Sequence, residues 1–527
     1  MSEGTRTPDR LDHNQELYQL SYAHRGPINL PASGFAPGPG ALGAASRVRT
    51  RKTTQTMRRD LDRLAHAGRA RVLSATLTIL ALVAATGALA GCGAGTRSHR
   101  AALSPSAPST LSAPTTTPAA TTQTTGPAAP AEPAPLGGMH QLRIELGHEM
   151  GLAGRSSGAY VYDMTTDTPV FSLRATTKRP PASVEKLFTS IAALHELGPN
   201  ARFRTTVLGR GWLGPGGVWH GNLYLRGGGD PTFGSSGFND LYEDGFGPTV
   251  TELAGRIRRA GIRRVTGRLI GDGSLFDSKP GVPSSGFAPD LGDIGGELGA
   301  LTYDHGLSGP RGPGAFAAHA FALALRADHV FVLAAPRTGH TPLEARPLAR
   351  ASSPPLQTML RLMNVPSDDF FAEILAKQLG ALFGGAGTTA AGANVIMSVL
   401  NTVYDLHPQI VDGSGLSRHD RASPLEVVDL LRSVWRTPPG NILWDSLPTV
   451  GINGTVASIG AGTPAQGHCI AKTGTLDNVT NLAGYCHSAG HQLVAFALFV
   501  DGPANWQGIE LESKMVADIA RRDPAGP

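Results

Sequence analysis

The stretch 93–138 limits the folded part of this chain more than any other feature of the sequence. It consists almost entirely of Ala, Pro, Thr, Ser and Gly, including SAPTTTPAATTQTTGPAAPAEPAP. Such a composition offers almost no apolar surface to bury, so we predict an extended, polyproline-rich linker. The chain has 527 residues, of which 41% are hydrophobic, so enough sequence remains for a folded body. We place the start of that body near residue 139.

An apolar segment before the linker predicts contact with a membrane. Residues 72–91 read VLSATLTILALVAATGALAG, a nearly uncharged run of about the length that spans a bilayer. Arginines precede the run and small residues lead into Cys92, which is the pattern of a processing site. The sequence LAGC at 89–92 resembles a bacterial lipobox, in which the cysteine is lipidated, and a plain transmembrane anchor is the alternative. Both interpretations place an exported body at the outer face of the cytoplasmic membrane or in the cell wall.

The tail at 1–71 is polar and basic. Residues 1–91 hold 12 Lys/Arg and 6 Asp/Glu, which leaves 34 basic and 35 acidic residues in the rest of the chain. The body is therefore almost neutral, and we expect no nucleic-acid partner. A signal segment after so long a tail is unusual, so Met57 is an alternative start, and a true cytoplasmic tail is the other interpretation.

Hydrophobic periodicity in the body predicts an α+β fold. Helices are predicted at 139–152, 183–197, 355–364, 369–379, 424–436 and 506–522. Strands are predicted at 159–164, 169–173, 481–488 and 492–500. The region 203–350 is rich in short strands and in Gly/Pro turns, so we expect a β-rich insertion there.

Two short motifs point to nucleophilic chemistry. Ser183-Val184-Glu185-Lys186 places Lys186 one helical turn after Ser183, on the same face and near a helix N-terminus. A serine hydroxyl needs a neighbouring base, and the N–H groups of a helix N-terminus can stabilise an oxyanion. By itself, this pattern is more often a capped helix start followed by surface charges.

The second motif is Lys472-Thr473-Gly474-Thr475, which follows a strand-like CIA. On an edge strand, Gly474 allows a close backbone approach, and the two threonine hydroxyls with Lys472 can bind a carboxylate. A third sequence, GRSSG at 154–158, fits G-x-S-x-G in letters. That motif needs a strand before it and a helix after it, and here the predicted order is reversed. No CxxC pair or Cys/His array occurs, so we expect no metal site.

The two motifs, in this order and context, resemble those of the active-site serine penicillin-recognising enzymes. More narrowly, the chain resembles the D-alanyl-D-alanine carboxypeptidase/endopeptidase family of class C, type-4 penicillin-binding proteins. The resemblance covers roughly 150–520. Further similar stretches are GNLYLRGGGDPTF (221–233), PSDDFFAEILAKQLG (366–380), DGSGLSRHDRASP (412–424), GINGTVAS (451–458) and AKTGTLDNVTNLAGY (471–485).

The resemblance implies a β-lactamase/transpeptidase-like core, in which helices lie on both sides of an antiparallel sheet. That core would comprise 139–202 and 351–527, with the β-rich region 203–350 inserted. The substrates would be peptidoglycan stem peptides, β-lactams would be inhibitors, and no metal or cofactor would be needed.

The family's site residues carry over to this sequence with one exception. Ser183 would be the nucleophile, Lys186 its base and Ser367 a proton relay. The backbone N–H groups of Ser183 and Thr475 would form the oxyanion hole. Thr473 and Thr475 would hold the substrate carboxylate, with Lys472 supplying positive charge.

The exception is Asp369, which stands where the family's S-D-N motif has Asn. An ionised carboxylate there would stabilise the ammonium forms of the lysines and would oppose Lys186 as a base. It also cannot donate the hydrogen bond that an amide donates. Three outcomes follow: a slowed enzyme, an enzyme with Asp369 protonated or turned away, or a wall-binding lipoprotein without activity. A β-lactamase is a further alternative.

Cys469 and Cys486 flank the second motif on neighbouring strands of a predicted hairpin. In an exported protein they could form a disulfide that stiffens the substrate-binding edge. Two buried free thiols are the alternative.

Overall fold

The computed structural model describes residues 138–523. The expectations for the tail, for the segment 72–91, for Cys92 and for the linker therefore lie outside the described residues. Within the described residues, no helix has both the length and the apolar character needed to cross a bilayer.

Residues 138–523 form eleven α-helices and ten strands. The helices are α1 (Gly138–Leu152), α2 (Lys186–Leu197), α3 (Ser236–Tyr242), α4 (Val250–Arg259), α5 (Pro313–Ala327), α6 (Leu356–Asn364), α7 (Asp369–Phe383), α8 (Thr389–Tyr404), α9 (Pro424–Val434), α10 (Pro438–Ser446) and α11 (Asn505–Arg521). The strands are β1 (Gly158–Asp163), β2 (Thr168–Leu173), β3 (Arg204–Gly214), β4 (Val218–Arg226), β5 (Arg264–Asp272), β6 (Phe331–Thr338), β7 (Arg346–Ser352), β8 (Cys469–Leu476), β9 (Val479–His487) and β10 (Leu493–Asp501).

Five antiparallel strands from the two ends of the described chain form the first sheet, in the order β2-β1-β10-β9-β8. Alternating side chains of β10 point to opposite faces, as the pleat of a strand requires. Phe496 and Leu498 join Leu146 of α1 and Met515 of α11 in one buried cluster. Ala497 and Phe499 belong to a second cluster on the other face, with α2 and helices α6 to α10.

The first sheet therefore has helices on both faces, as the family resemblance implies. Strand β8 ends the sheet, so the Lys472 motif lies on an edge strand. The region 203–350 forms a second sheet, in the order β6-β5-β4-β3-β7. Its strands β4, β5 and β6 run parallel to one another.

The inserted region was predicted to be rich in short strands; in addition to its strands it contains α4 and α5, which cover one face of its sheet. Parallel neighbours cannot be joined by tight hairpins and need crossover connections, usually helices. Helix α4 connects β4 to β5, and α5 connects β5 to β6. Thr249 begins α4 as its N-cap, since its hydroxyl accepts a hydrogen bond from Glu252 N–H.

The inserted region contacts the core along α7. The imidazole of His305 pairs with Asp368 just before the helix, and Lys377, about two turns into it, pairs with Asp277. Gly229 of the insertion lies against Gln378, where an added Cβ would come within 2.3 Å of the Gln378 amide oxygen. Helix α7 follows Ser367 closely, so these contacts connect the insertion to a predicted catalytic residue.

Candidate active site

The first motif lies in a 3-10 turn, Ala182–Glu185, and α2 begins at Lys186. Ser183 is partly exposed, whereas Lys186 is fully buried at the foot of the turn. Lys186 Nζ lies 2.8 Å from Ser183 Oγ. The spacing of the motif therefore brings an amine to the serine hydroxyl, although the first turn of the predicted helix is 3-10 rather than α.

Backbone contacts fix the position of this turn against the sheet. Asn481 of β9 donates its side-chain amide to the carbonyls of Pro180 at 3.0 Å and Pro181 at 2.8 Å. Ala182 has a φ of +48°, an unfavourable conformation for a residue with a side chain. Such a conformation persists only where surrounding contacts hold it.

The family's middle motif begins between α6 and α7. Ser367 has a φ of +65° and is partly exposed. Its Oγ lies 2.7 Å from Nζ of Lys472, which is fully buried. Asp368 follows as the N-cap of α7 and accepts a hydrogen bond from Phe371 N–H at 2.9 Å.

The Lys-Thr-Gly-Thr motif is on β8, directly beside the 3-10 turn. An added Cβ on Gly474 would come within 2.5 Å of the Pro181 carbonyl oxygen, so only glycine permits this approach. The hydroxyl of Thr473 is hydrogen-bonded to that of Thr455 at 2.7 Å, and Thr475 is partly exposed. Ser183, Ser367 and the 473–475 edge therefore lie around one region of the core.

Asp369 is turned towards the first motif, not away from it. Its Oδ1 lies 2.5 Å from Lys186 Nζ, and its side chain is 16% exposed. Lys186 also donates to the Ser414 carbonyl at 2.8 Å. An ammonium has three N–H donors, and here three acceptors surround it: Ser183 Oγ, Asp369 Oδ1 and Ser414 O. The charged form of Lys186 is therefore fully hydrogen-bonded in this arrangement.

The second lysine has a different electrostatic environment. Burial, followed by the neighbouring charge of Lys186, holds the pKa of Lys472 well below its usual value, and Asp369 opposes this shift. Lys472 also donates to the Thr473 carbonyl at 2.9 Å. A neutral amine keeps one lone pair, which can accept the Ser367 hydroxyl proton. The expected role of Lys472, to supply positive charge, stays a prediction, and burial disfavours the charged form of this lysine.

Four further buried carboxylates lie behind the site, and burial raises the pKa of each. They are Glu185, Glu373, Asp412 and Asp420. Asp412 accepts hydrogen bonds from the backbone N–H groups of Ser414, Gly415 and Ser417, which fixes the loop that contains Ser414. These groups order the loop around Lys186, and the raised pKa values limit the negative charge buried there.

The chemistry of the arrangement follows from its two serine–lysine pairs. Each hydroxyl has an amine within hydrogen-bond distance, and the sheet edge between them carries threonine hydroxyls. These are the parts of an acyl-transfer site, in which one serine attacks a carbonyl and the other transfers a proton. Among the described residues, no group of three or more His, Cys, Asp or Glu is arranged to hold a metal ion.

Three supporting residues were not identified individually from the sequence: Asn481, Ser414 and Thr455. Each lies in a stretch that resembles the family, namely AKTGTLDNVTNLAGY, DGSGLSRHDRASP and GINGTVAS. Those resemblances were the available signal, but only the structure shows which atoms contact the motifs. His305 had no such signal.

Cys469 and Cys486 are joined in a disulfide. They are directly opposite each other on β8 and β9, with Cys469 three residues before Lys472. The cross-link therefore ties the edge strand of the site to its neighbour. The lipidation site predicted at Cys92 lies outside the described residues.

The fold and the site together define a serine hydrolase of the penicillin-recognising class. The chain belongs to the D-Ala-D-Ala carboxypeptidase 3 (S13) family, whose profile matches residues 145–290 and 310–522. The stretch 291–309 falls between the two matched segments. Membership confirms the family predicted from the Ser183 and Lys472 motifs.

Named relatives agree with this assignment. The chain is 27% identical over 454 residues to a D-alanyl-D-alanine carboxypeptidase of Actinomadura sp. (strain R39), covering 70% of this chain and 82% of the relative. It is 29% identical over 376 residues to carboxypeptidase DacB of Mycolicibacterium smegmatis, covering 66% and 78%. A solved structure of penicillin binding protein 4 (dacB) from Haemophilus influenzae shares the fold, with a TM-score of 0.58 and 19% identity, covering 71% of this chain and 98% of that one.

These findings confirm the predicted α+β fold of the penicillin-binding type and the predicted class of enzyme, a serine-type D-Ala-D-Ala carboxypeptidase. The roles of individual residues depend on the geometry around Ser183.

Proposed function

We propose that this chain hydrolyses the terminal D-Ala-D-Ala bond of peptidoglycan stem peptides through an acyl-enzyme on Ser183, and that β-lactams acylate the same serine. The supporting observation is the convergence of Ser183–Lys186 and Ser367–Lys472, two hydroxyl–amine pairs from distant segments, beside the edge strand β8. Family membership supports the choice of substrate.

In the acylation step, Ser183 Oγ attacks the carbonyl carbon of the penultimate D-Ala while Lys186, in its neutral form, takes the hydroxyl proton. The backbone N–H groups of Ser183 and Thr475 donate to the developing oxyanion. The C–N bond then breaks; Ser367 passes its proton to the leaving amine of the terminal D-Ala and takes a proton from the Lys472 ammonium, 2.7 Å away. In the second step water attacks the ester while its proton passes through Ser367 to Lys472, and Lys186 returns its proton to Ser183 as the shortened peptide is released.

The substrate carboxylate binds along β8, where Thr473 and Thr475 supply hydroxyl donors. Lys472 becomes charged in response to the substrate, because a carboxylate within about 4–6 Å favours the protonated amine. Lys472 Nζ lies 2.7 Å from Ser367 Oγ, a distance at which a proton can pass between the two groups. Each lysine thus acts on one serine, Lys186 on Ser183 and Lys472 on Ser367.

The contact between Lys186 and Asp369 favours a second candidate, a wall-binding protein with little activity. Lys186 must lose a proton before it can act as a base, and a carboxylate 2.5 Å away opposes that loss. We favour a slowed enzyme, because both serine–lysine pairs remain assembled. The alternative predicts muropeptide binding without release of D-Ala, and a β-lactamase would instead hydrolyse a chromogenic cephalosporin rapidly.

We also propose that the body acts outside the cytoplasmic membrane, held by a lipid on Cys92 or by the segment 72–91. The support comes from the sequence LAGC at 89–92, the apolar segment that precedes it and the linker that follows it. Mass spectrometry of the mature N-terminus tests this. A diacylglyceryl-modified Cys92 supports the lipid anchor, an intact segment 72–91 in a membrane fraction supports the transmembrane anchor, and an unmodified N-terminus upstream of 72 in a cytosolic fraction contradicts both.

Labelling with a fluorescent penicillin tests the role of Ser183. The wild type should be labelled covalently and should release D-Ala from a pentapeptide, whereas Ser183→Ala should do neither. Ser156→Ala is the matched control, since Ser156 is exposed and stands in the G-x-S-x-G sequence. It should behave as the wild type does. Equal labelling of Ser183→Ala and the wild type would exclude Ser183 as the nucleophile.

A further inference from the structure

His305 lies in the stretch 291–309, between the two segments that match the family profile. The inserted region holds it against the start of α7, and its side chain is almost completely buried. The imidazole lies 4.2 Å from the ring of Phe370, centroid to centroid. An added Cβ on the next residue, Gly306, would meet the same ring at 2.6 Å, so the turn fits closely against the helix.

Both ring nitrogens of His305 face acceptors. Nε2 lies 2.8 Å from Asp368 Oδ2, and Nδ1 lies 3.4 Å from the Gly295 carbonyl oxygen. An imidazole can donate from both nitrogens only when it is protonated. Burial alone would lower the pKa of His305, but the charge and hydrogen bond of Asp368, together with the charge of Glu243 at the end of α3, raise it to about 9.

Asp368, the partner of His305, lies in the sequence between two residues of the site, Ser367 and Asp369. Asp368 Oδ1 accepts from Phe371 N–H at 2.9 Å, while Oδ2 faces His305, so both oxygens are engaged. Its own N–H donates to the Met363 carbonyl at 2.8 Å. The residue before it, Ser367, has a φ of +65°, a conformation that surrounding contacts must hold. The residue after it is Asp369.

We propose that His305 is a positioning residue for catalysis: its imidazolium, paired with Asp368, holds the start of α7 and thereby fixes Ser367 against Lys472 and Asp369 against Lys186. The proposal rests on the acyl-enzyme chemistry proposed above. It also gives the inserted region a role in the reaction, because residue 305 belongs to that region and not to the core.

A second buried ion pair between the same region and the same helix supplies a matched control. Lys377, whose side chain is 1% exposed, pairs with Asp277 and donates to the Lys279 carbonyl at 3.1 Å. This pair is about two turns farther along α7 and touches neither serine–lysine pair. Asp277→Asn should therefore lower the melting temperature but leave the chemistry of the folded enzyme unchanged.

The test compares single-turnover acylation by a fluorescent penicillin, with rates taken from the fraction of protein that labels. His305→Leu should lower the first-order acylation rate constant about 10–100-fold, as expected when reacting groups move by about 1 Å. The dissociation constant of the noncovalent penicillin complex that precedes acylation should change less than about threefold, which separates an effect on positioning from one on binding. His305→Gln retains a donor near Nε2 and should recover most of the rate.

The control and the opposing outcomes are distinct. Asp277→Asn should acylate within about twofold of the wild type at a temperature where all variants are folded. If His305→Leu acylates at the wild-type rate, or if Asp277→Asn slows acylation as much as His305→Leu does, His305 has no positioning role. If the leucine variant does not fold, His305→Asn takes its place, because its shorter polar side chain withdraws the donor from Asp368: acylation at the wild-type rate overturns the proposal, and a loss of about tenfold or more supports it. Failure of the wild type to label would instead contradict the proposed function.

Discussion

Replacing Asp369 by asparagine should make this enzyme faster. The new side chain would keep the shape of the old one, and its amide oxygen could still accept the hydrogen bond from Lys186. The negative charge 2.5 Å from Lys186 Nζ would be lost. The neutral form of Lys186, which acts as the base for Ser183, would then become easier to reach.

The size of the gain follows from the contact. Two unit charges 2.5 Å apart attract each other by about 6–7 kcal/mol at an effective dielectric constant of about 20. Partial burial disfavours the charged form and raises the pKa of Asp369, while Lys186 opposes this shift, so only part of that attraction is expressed. We therefore expect about 1.4–2.8 kcal/mol of this attraction to appear in the activation free energy, which corresponds to acylation about 10–100-fold faster near pH 7.

The assay is single-turnover acylation by a fluorescent penicillin between about pH 6 and pH 9, a range that spans the operating pH of most general bases. Asp369→Glu is the matched control, since it keeps the charge and should stay as slow as the wild type or become slower. Thermal unfolding of all three proteins shows whether a rate change reflects folding.

An Asp369→Asn variant that acylates no faster than the wild type would refute this reasoning. In that case the carboxylate is not what limits Lys186, and a direct part for Asp369 in proton transfer becomes the better explanation. A variant that acylates faster but does not release the shortened peptide faster would place the effect on the first step alone.

Two further predictions concern the stability of the core. The double substitution of Cys469 and Cys486 by serine removes a cross-link that spans 17 residues, so the free energy of unfolding should fall by about 3 kcal/mol. The mass shift of the wild type on reduction and alkylation checks that the bond is present. A denaturant midpoint that is the same in both proteins would contradict the prediction. Burial tends to raise the pKa of Asp163, but Arg522 at 2.7 Å and the N–H groups of Thr165 and Thr166 outweigh burial and lower it. Its contribution to stability is therefore present above about pH 4, the unfolded value, and is lost as the pH falls through the lower folded value. Asp163→Asn should lower the free energy of unfolding by about 3–5 kcal/mol near pH 7, since it leaves Arg522 buried without its partner. Below about pH 4, the stability of the variant should fall less steeply with pH than that of the wild type. Urea titrations that show the same loss of stability between about pH 7 and pH 3 in both proteins would contradict this.

Periodic patterns in the sequence predicted much of the core correctly. Helices α1, α6 and α11 and strands β1, β2, β9 and β10 lie within a few residues of their predicted positions. Each carries a regular apolar pattern, and its burial depends mainly on that pattern. Helices α8 and α10 were missed, and so were α3, α4 and α5 in the inserted region. The sequence Thr437-Pro438-Pro439-Gly440 at the start of α10 is also common in turns, but here Thr437 caps the helix by accepting from Gly440 N–H, and α10 packs against α6 and α2.

The contacts in the active site also fall into those that a local sequence pattern predicts and those that depend on tertiary packing. Ser183 and Lys186 meet because three positions along a helical turn bring side chains to one face, a local rule that holds wherever the turn lies. The sequence alone therefore determined this pair, the Lys-Thr-Gly-Thr edge and the presence of an unusual carboxylate at 369. No local rule connects Lys472 to Ser367, Lys186 to Asp369 or His305 to Asp368, because these partners are 105, 183 and 63 positions apart. The tertiary structure decided these contacts and the burial of the lysines. Protonation depends on which charges and how much solvent surround a group, and both are set by how distant segments pack.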